Sequence, residues 1–245
     1  MCGRYVSTTT PQDLVDLLRV TGGAPPEELA PSWNVAPTDP VPAVLERVDR
    51  ETGELTRQLR VLRWGLVPSW SKDAKGAARL INARAETVHT KPAFRKAFGT
   101  RRCVLPADGY FEWVPVPAVA DGKAFKQPYY LHPASDGPML MAGLYEFWRD
   151  HSVPDDDPAA WLATATVITT DATDAAGRVH DRMPLTVDLA DLDAWLDPEL
   201  TDPTEARHLL HTPGGAELAV RAVSTAVNSV RSNGPQLLEP VPDPL

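Results

Sequence analysis

Cysteine is scarce in this sequence. Only Cys2 and Cys103 are present, too few and too far apart for a disulfide framework or a metal-ligand pair. The histidines (His89, His132, His151, His180, His208, His211) form no HExxH-like spacing, and no GxGxxG, P-loop or GxSxG stretch occurs. A metal ion or other cofactor therefore has no support. No apolar run approaches the ~20 residues of a membrane span. The N-terminus lacks the basic-then-apolar signature of a leader, so the chain reads as a soluble cytoplasmic protein. Positive charge is also short, with 24 Lys and Arg against 33 Asp and Glu and a formal net charge of −9. Taken whole, that balance speaks against a nucleic-acid partner, because phosphate contacts need Lys and Arg. Internal repeats and clean linkers are missing as well, so the 245 residues read as a single domain, 1–245, with 229–245 as a tail.

Charge that is present is unevenly placed. Acidic residues crowd 150–157 and 188–205, whereas basic residues gather from Arg57 to Arg102. Distribution decides nucleic-acid binding more than the total does, and this segment allows a local basic face. The same region carries Trp64 and Trp70. Arginines together with aromatic faces are what a single-stranded nucleic-acid site combines; core packing is the other place for a tryptophan, and Trp70, after Pro68-Ser69, is the better candidate for exposure.

The 25 prolines cut the chain into short elements. Thr10-Pro11 predicts a helix start, with threonine as N-cap and proline in the first turn. The segments 41–48 and 55–66 predict a hairpin across the polar turn 49–54. A strand is expected over 102–113, bent at 106–109, with further strands at 128–132, 139–148, 163–170 and 218–224. Strands and helices interleave without a repeating βα unit, which predicts an α+β fold around a curved, mainly antiparallel sheet.

Position 2 carries the most distinctive chemistry. Once Met1 is removed, Cys2 bears an α-amine and a thiol on adjacent carbons. Such a 1,2-aminothiol condenses with an aldehyde through nitrogen and closes a five-membered thiazolidine through sulfur. Reference pKa values of about 8 for the amine and about 8.5 for the thiol keep both partly available at neutral pH.

A nucleophile of this kind needs proton carriers, and three polar residues lie in apolar surroundings. Glu112 sits between Phe111 and Trp113. Desolvation by its neighbours would raise its pKa and suit it to acid–base work; strand alternation would instead turn it to solvent. His180 follows Val179 and reads either as a proton carrier or as a core histidine. Asn82 follows Leu80-Ile81 and reads either as a site residue or as a cap.

Several ordered blocks then carry a resemblance. They are MCGRY at the start, WNVAPT at 33–38, RWGLVPSW at 63–70, INARAET at 81–87, RRCVLPADGYFEW at 101–113, MAGLYEFW at 141–148, VITTDAT at 167–173, VHDRMP at 179–184 and the closing VSTAVNSVRSNGPQLLEP. The sequence resembles the SRAP family, the SOS-response-associated peptidases or abasic site processing proteins. That resemblance implies a partly barrel-like sheet core flanked by short helices. It also implies recognition of abasic sites in single-stranded DNA, a covalent thiazolidine link through Cys2, and β-elimination of the lyase type as a side reaction. By the same resemblance Cys2 is the nucleophile and Asn82 orients its amine or the sugar. Glu112 moves the protons of ring opening, and His180 assists Schiff-base formation. Arg4, Arg84 and Arg182 contact phosphates, Trp70 stacks a base, and Asn34 and Pro37 line the groove. The expected partner is abasic single-stranded DNA, bound by a monomer without a metal. A cysteine peptidase, or a non-covalent reader of single-stranded DNA, are the competing expectations.

Overall fold

The computed structural model describes residues 2–22, 30–49, 51–117, 124–154, 156–211 and 217–244. Its strands and helices follow in chain order. The first are β1 (Arg4–Ser7), α1 (Pro11–Leu18), β2 (Ser32–Val35), β3 (Pro40–Val48), β4 (Leu55–Trp64) and β5 (Asn82–Arg84). After them come α2 (Arg95–Thr100), β6 (Arg102–Ala107), β7 (Gly109–Val116), β8 (Phe125–Pro133), β9 (Met139–Arg149) and β10 (Trp161–Asp171). The last are α3 (Asp174–Gly177), β11 (Arg182–Pro184), α4 (Leu192–Leu196), α5 (Pro203–His208) and β12 (Leu218–Ala222). The fold is α+β, as expected, and the helices are short.

Five strands close on themselves. Strand β10 pairs with β4, β4 with β3, β3 with β6, β6 with β9, and β9 returns to β10. Only the β10–β4 contact in this ring is parallel. Alternate side chains of the ring face opposite ways. Leu45, Cys103, Leu105, Met141, Ala165 and Val167 share one buried cluster, while Val44, Val104, Ala142, Leu144 and Ile168 share another with Leu14, Phe98 and Trp195 of the helices. The near-continuous burial of β3 follows, since both of its faces are covered. The expected hairpin of β3 and β4 forms, paired from Pro40↔Arg63 to Val48↔Leu55. Helix α1 begins as expected: Thr10 accepts from the Asp13 amide at 3.2 Å and Pro11 opens the helix.

A second, five-stranded sheet runs β12–β8–β7–β1–β2. The stretch 102–113 was expected to be one bent strand. It is two, because β6 belongs to the ring and β7 to the second sheet, with Asp108 between them. The Asp108 carboxylate fastens this crossing by accepting from the Thr8 and Thr9 hydroxyls, each at 2.7 Å. Gly109 has φ +158°, and a Cβ there would lie 2.5 Å from the Leu131 carbonyl oxygen. The strands cross this closely only because that position has no side chain.

Two consequences position the site. Strand β10 leaves β4 at Ala165 and takes β5 as its parallel neighbour from Val167↔Asn82 onward, which sets Asn82 at the end of the ring. Strand β1 is the antiparallel neighbour of β7, with Arg4 opposite Phe111, so the start of the chain lies beside Glu112.

Candidate active site

Cys2 is fully buried, in the cluster that also contains Tyr5, Trp64 and Tyr110. Its carbonyl oxygen accepts a 2.7 Å hydrogen bond from Asn82 Nδ2. The thiol donates a long contact of 3.8 Å to the Arg4 carbonyl. Burial pushes the Cys2 thiol well above its usual range, and the Glu112 carboxylate adds to the effect. The sulfur is therefore held as a neutral thiol.

Next to Cys2 opens a cleft of about 460 Å³ lined by Arg4, Glu112, Trp113, Lys126, His180 and Asn228. Glu112 is only 4% exposed. The alternation that would have turned it to solvent fails because both faces of β7 are covered here, with Tyr110 in one buried cluster and Phe111 in another. Burial raises the Glu112 pKa, and the attraction of His180 opposes that rise. His180 Nδ1 lies 2.9 Å from the Arg182 backbone nitrogen and 2.7 Å from Asp181 Oδ1. In the neutral ring it accepts from the amide, and in the protonated ring it donates to the carboxylate. Either protonation state of His180 thus has a partner, which suits a proton carrier.

The raised Glu112 pKa has a consequence for stability. A carboxyl whose pKa is higher folded than unfolded favours folding below its unfolded pKa and loses that contribution as pH rises through the folded value. At neutral pH the ionised form is a cost. Glu112→Gln, neutral at every pH, is expected to melt at a higher temperature than the wild type at pH 8. The gap closes as pH falls toward the ordinary glutamate value of about 4.3. Thermal unfolding across a pH series checks this, and a lower melting temperature at pH 8 contradicts it.

The remaining sequence candidates separate into two groups. Arg84 is exposed, and it shares the face of β5 with Asn82, two residues away. Trp70 is 67% exposed, whereas Trp64 is buried with its Nε1 donating to the Ile81 carbonyl at 3.0 Å. Trp70 stands on the loop after β4, which Trp148 fastens through a 2.7 Å bond from Nε1 to the Ser71 carbonyl. Lys72, Lys75 and Arg79 on this loop are exposed too. Two of the expected DNA-contact residues are engaged within the protein. The Arg182 guanidinium bonds Glu86 Oε1 at 2.6 Å, Glu86 Oε2 at 3.0 Å, the Thr169 carbonyl and Asp171, and its side chain is only 7% exposed. Two carboxylates therefore lie against its charge. Asn34 is 3% exposed, and its amide bonds the Arg4 guanidinium and the Val227 carbonyl. The basic stretch also contributes fewer free charges than its sequence implies, because Arg57 and Arg102 are buried and Arg101 pairs with Glu146 at 2.9 Å.

Three cleft residues escaped the sequence reading: Trp113, Lys126 and Asn228. Lys126 stands opposite Pro115 across the β7–β8 ladder, and Trp113 Nε1 donates to Asn228 Oδ1 at 2.7 Å. Trp113 was legible as the neighbour of Glu112, but nothing in the sequence signalled the other two. Among the described residues no group of three or more His, Cys, Asp or Glu is placed to hold a metal ion, and no helix is long and apolar enough to cross a membrane.

Residues 1–230 match the family model described as SOS response associated peptidase (SRAP). The chain is 36% identical over 239 residues to the abasic site processing protein YoqW of Bacillus subtilis, covering 98% of this chain and 99% of that one. It is 29% identical to the abasic site processing protein HMCES of Pongo abelii, covering 98% and 76% respectively. A solved structure of a protein from Bacteroides thetaiotaomicron superposes with a TM-score of 0.77 at 23% identity, over 98% of this chain and all of that one, and so shares the fold.

Proposed function

The chain belongs to the SOS response associated peptidase (SRAP) family, and from that membership we propose that it processes abasic sites in single-stranded DNA by linking itself to them. The observation that carries this reading is the Asn82 bond that holds the Cys2 backbone beside a cleft lined by Glu112, His180 and Arg4. An abasic deoxyribose is mostly a cyclic hemiacetal. Glu112, whose pKa burial raises, protonates the ring oxygen while the hydroxyl proton at C1′ leaves, giving the open aldehyde. After Met1 removal the Cys2 α-amine attacks that aldehyde. Water departs from the carbinolamine, with His180 as proton carrier, and an imine forms. The thiol then adds to the imine carbon and its proton passes to nitrogen, closing the thiazolidine. The balance is aldehyde plus aminothiol giving thiazolidine plus water, with no oxidant or metal required.

The buried, neutral thiol supports this order, with nitrogen first and sulfur second. It also weighs against a cysteine peptidase, which needs a thiolate prepared by an adjacent imidazole. Here the thiol contact runs to a backbone carbonyl, and the His180 Nδ1 contacts run to Arg182 and Asp181. Arg4, Arg84 and Lys126 offer charge to the phosphates. Trp70 offers an aromatic face to a base.

Incubation with a single-stranded oligonucleotide bearing one abasic site is expected to give a heat- and denaturant-resistant adduct, while the intact oligonucleotide gives none. Absence of any covalent species from the wild type sinks this reading. Cleavage of a protein substrate that stops on Cys2→Ala favours the peptidase instead. For Trp70→Ala the expectation is weaker binding of single-stranded DNA by ~1–3 kcal/mol, with unfolding free energy within about 0.5 kcal/mol of wild type because the ring is exposed. Titration of a labelled oligonucleotide alongside denaturant unfolding separates the two effects.

A further inference from the structure

Asn34 touches no solvent-facing site, yet its amide joins the cleft to the C-terminal segment. Nδ2 lies 2.9 Å from the carbonyl oxygens of Ser229 and Ser232 and 3.3 Å from that of Val227. Oδ1 accepts a 2.8 Å bond from Arg4 Nη1. Nη1 also donates to the Val227 carbonyl at 3.0 Å, while Nη2 has only a 3.5 Å contact with the Asn228 carbonyl. One edge of the guanidinium is thus held firmly and the other is held weakly, at the cleft that Arg4 lines.

The segment that supplies these carbonyls is itself anchored. Asn233 Oδ1 accepts from the Trp33 backbone nitrogen at 2.8 Å. Leu237 is buried, Val223 bridges to Pro240, and the Val241 nitrogen donates to the Ala222 carbonyl at 3.0 Å. The segment forms a strap across β2 and β12, and through Asn228 it supplies one wall of the cleft.

We propose that Asn34 is a positioning residue for the DNA phosphate beside the reacting sugar. It ties the strap to one edge of Arg4, so that the weakly held edge at Nη2 is presented to that phosphate in a fixed orientation. This rests on the abasic-site reading above. An arginine already held in place binds a phosphate without losing the freedom of a long side chain, and that freedom is the cost a loosened Arg4 would bear. The amine, thiol and carboxyl that make the covalent bond do not touch Asn34.

The test measures crosslinking rate against concentration of an abasic single-stranded oligonucleotide for wild type, Asn34→Ala, Arg4→Ala and the double variant. Reaction with free 2-deoxyribose, which has no phosphate, is measured in parallel. Asn34→Ala is expected to raise the half-saturating concentration about tenfold, the scale of one lost charge-assisted contact. The maximal rate and the deoxyribose reaction stay within about twofold. The double variant is expected to be no weaker than Arg4→Ala alone, since both act through one guanidinium. Effects that multiply, or a half-saturating concentration unchanged by Asn34→Ala while its melting temperature falls, overturn the proposal. Should Asn34→Ala not fold, the exposed Asn233→Ala loosens the same strap and is expected to raise half-saturation about threefold at constant maximal rate; no change in half-saturation overturns the proposal equally. A wild type that forms no adduct refutes the function itself, an outcome distinct from either of these.

Discussion

Cys2→Ser loses the stable adduct and keeps the reversible one. Serine at position 2 retains the α-amine, so an imine with the abasic aldehyde still forms and is trapped by borohydride. A hydroxyl in place of the thiol closes only a labile oxazolidine ring. Closure by the native thiol is intramolecular, where effective concentrations are very high. The heat-resistant product of Cys2→Ser is therefore expected to fall on the order of a hundredfold or more. With the imine no longer locked, β-elimination becomes available, and strand cleavage at the lesion is expected to rise. Gel analysis with and without borohydride separates these species. A Cys2→Ser protein that forms heat-resistant adduct at the wild-type rate contradicts the assignment of sulfur to the second bond.

Glu112→Gln has the second-largest effect. The carboxyl is buried, its pKa is raised by that burial, and it lines the cleft with His180. Glutamine preserves the shape and cannot carry a proton. Loss of a positioned acid–base group costs ~10²–10⁴-fold, and adduct formation is expected to slow by about 100-fold at the low end of that range. Oligonucleotide affinity remains near that of the wild type. The same substitution stabilises the fold at alkaline pH, so activity and stability move in opposite directions. Loss of both together would instead mark Glu112 as a residue that only holds the two strands.

Local signals were legible in the sequence where partners are near in the chain. The β3–β4 hairpin follows from two apolar runs around the polar turn 49–54, and the start of α1 from Thr10 and Pro11. The candidate site was legible in part, through Cys2, Asn82, Glu112 and His180, of which the last two line one cleft and Asn82 bonds the Cys2 carbonyl. What depends on distant partners was not. Arg182 reads as a free cation until Glu86, on the other side of β10, is seen to neutralise it. The bonds of the Asn34 amide come from a strap nearly two hundred positions later. The burial of Glu112 needs both faces of β7 to be covered, which no periodicity within that strand reveals. Splitting 102–113 between two sheets likewise depends on the close approach of β8 to Gly109.

The central claim is that the Cys2 amine and thiol together take up an abasic aldehyde. Intact mass of the protein, alone and after mixing with an abasic single-stranded oligonucleotide, tests it most directly. The protein alone should lack Met1. The product should weigh as that protein plus the oligonucleotide less a single water, and it should persist through denaturation without borohydride. A protein that keeps Met1 and still gains the same mass, or one that lacks Met1 and gains none, contradicts the account.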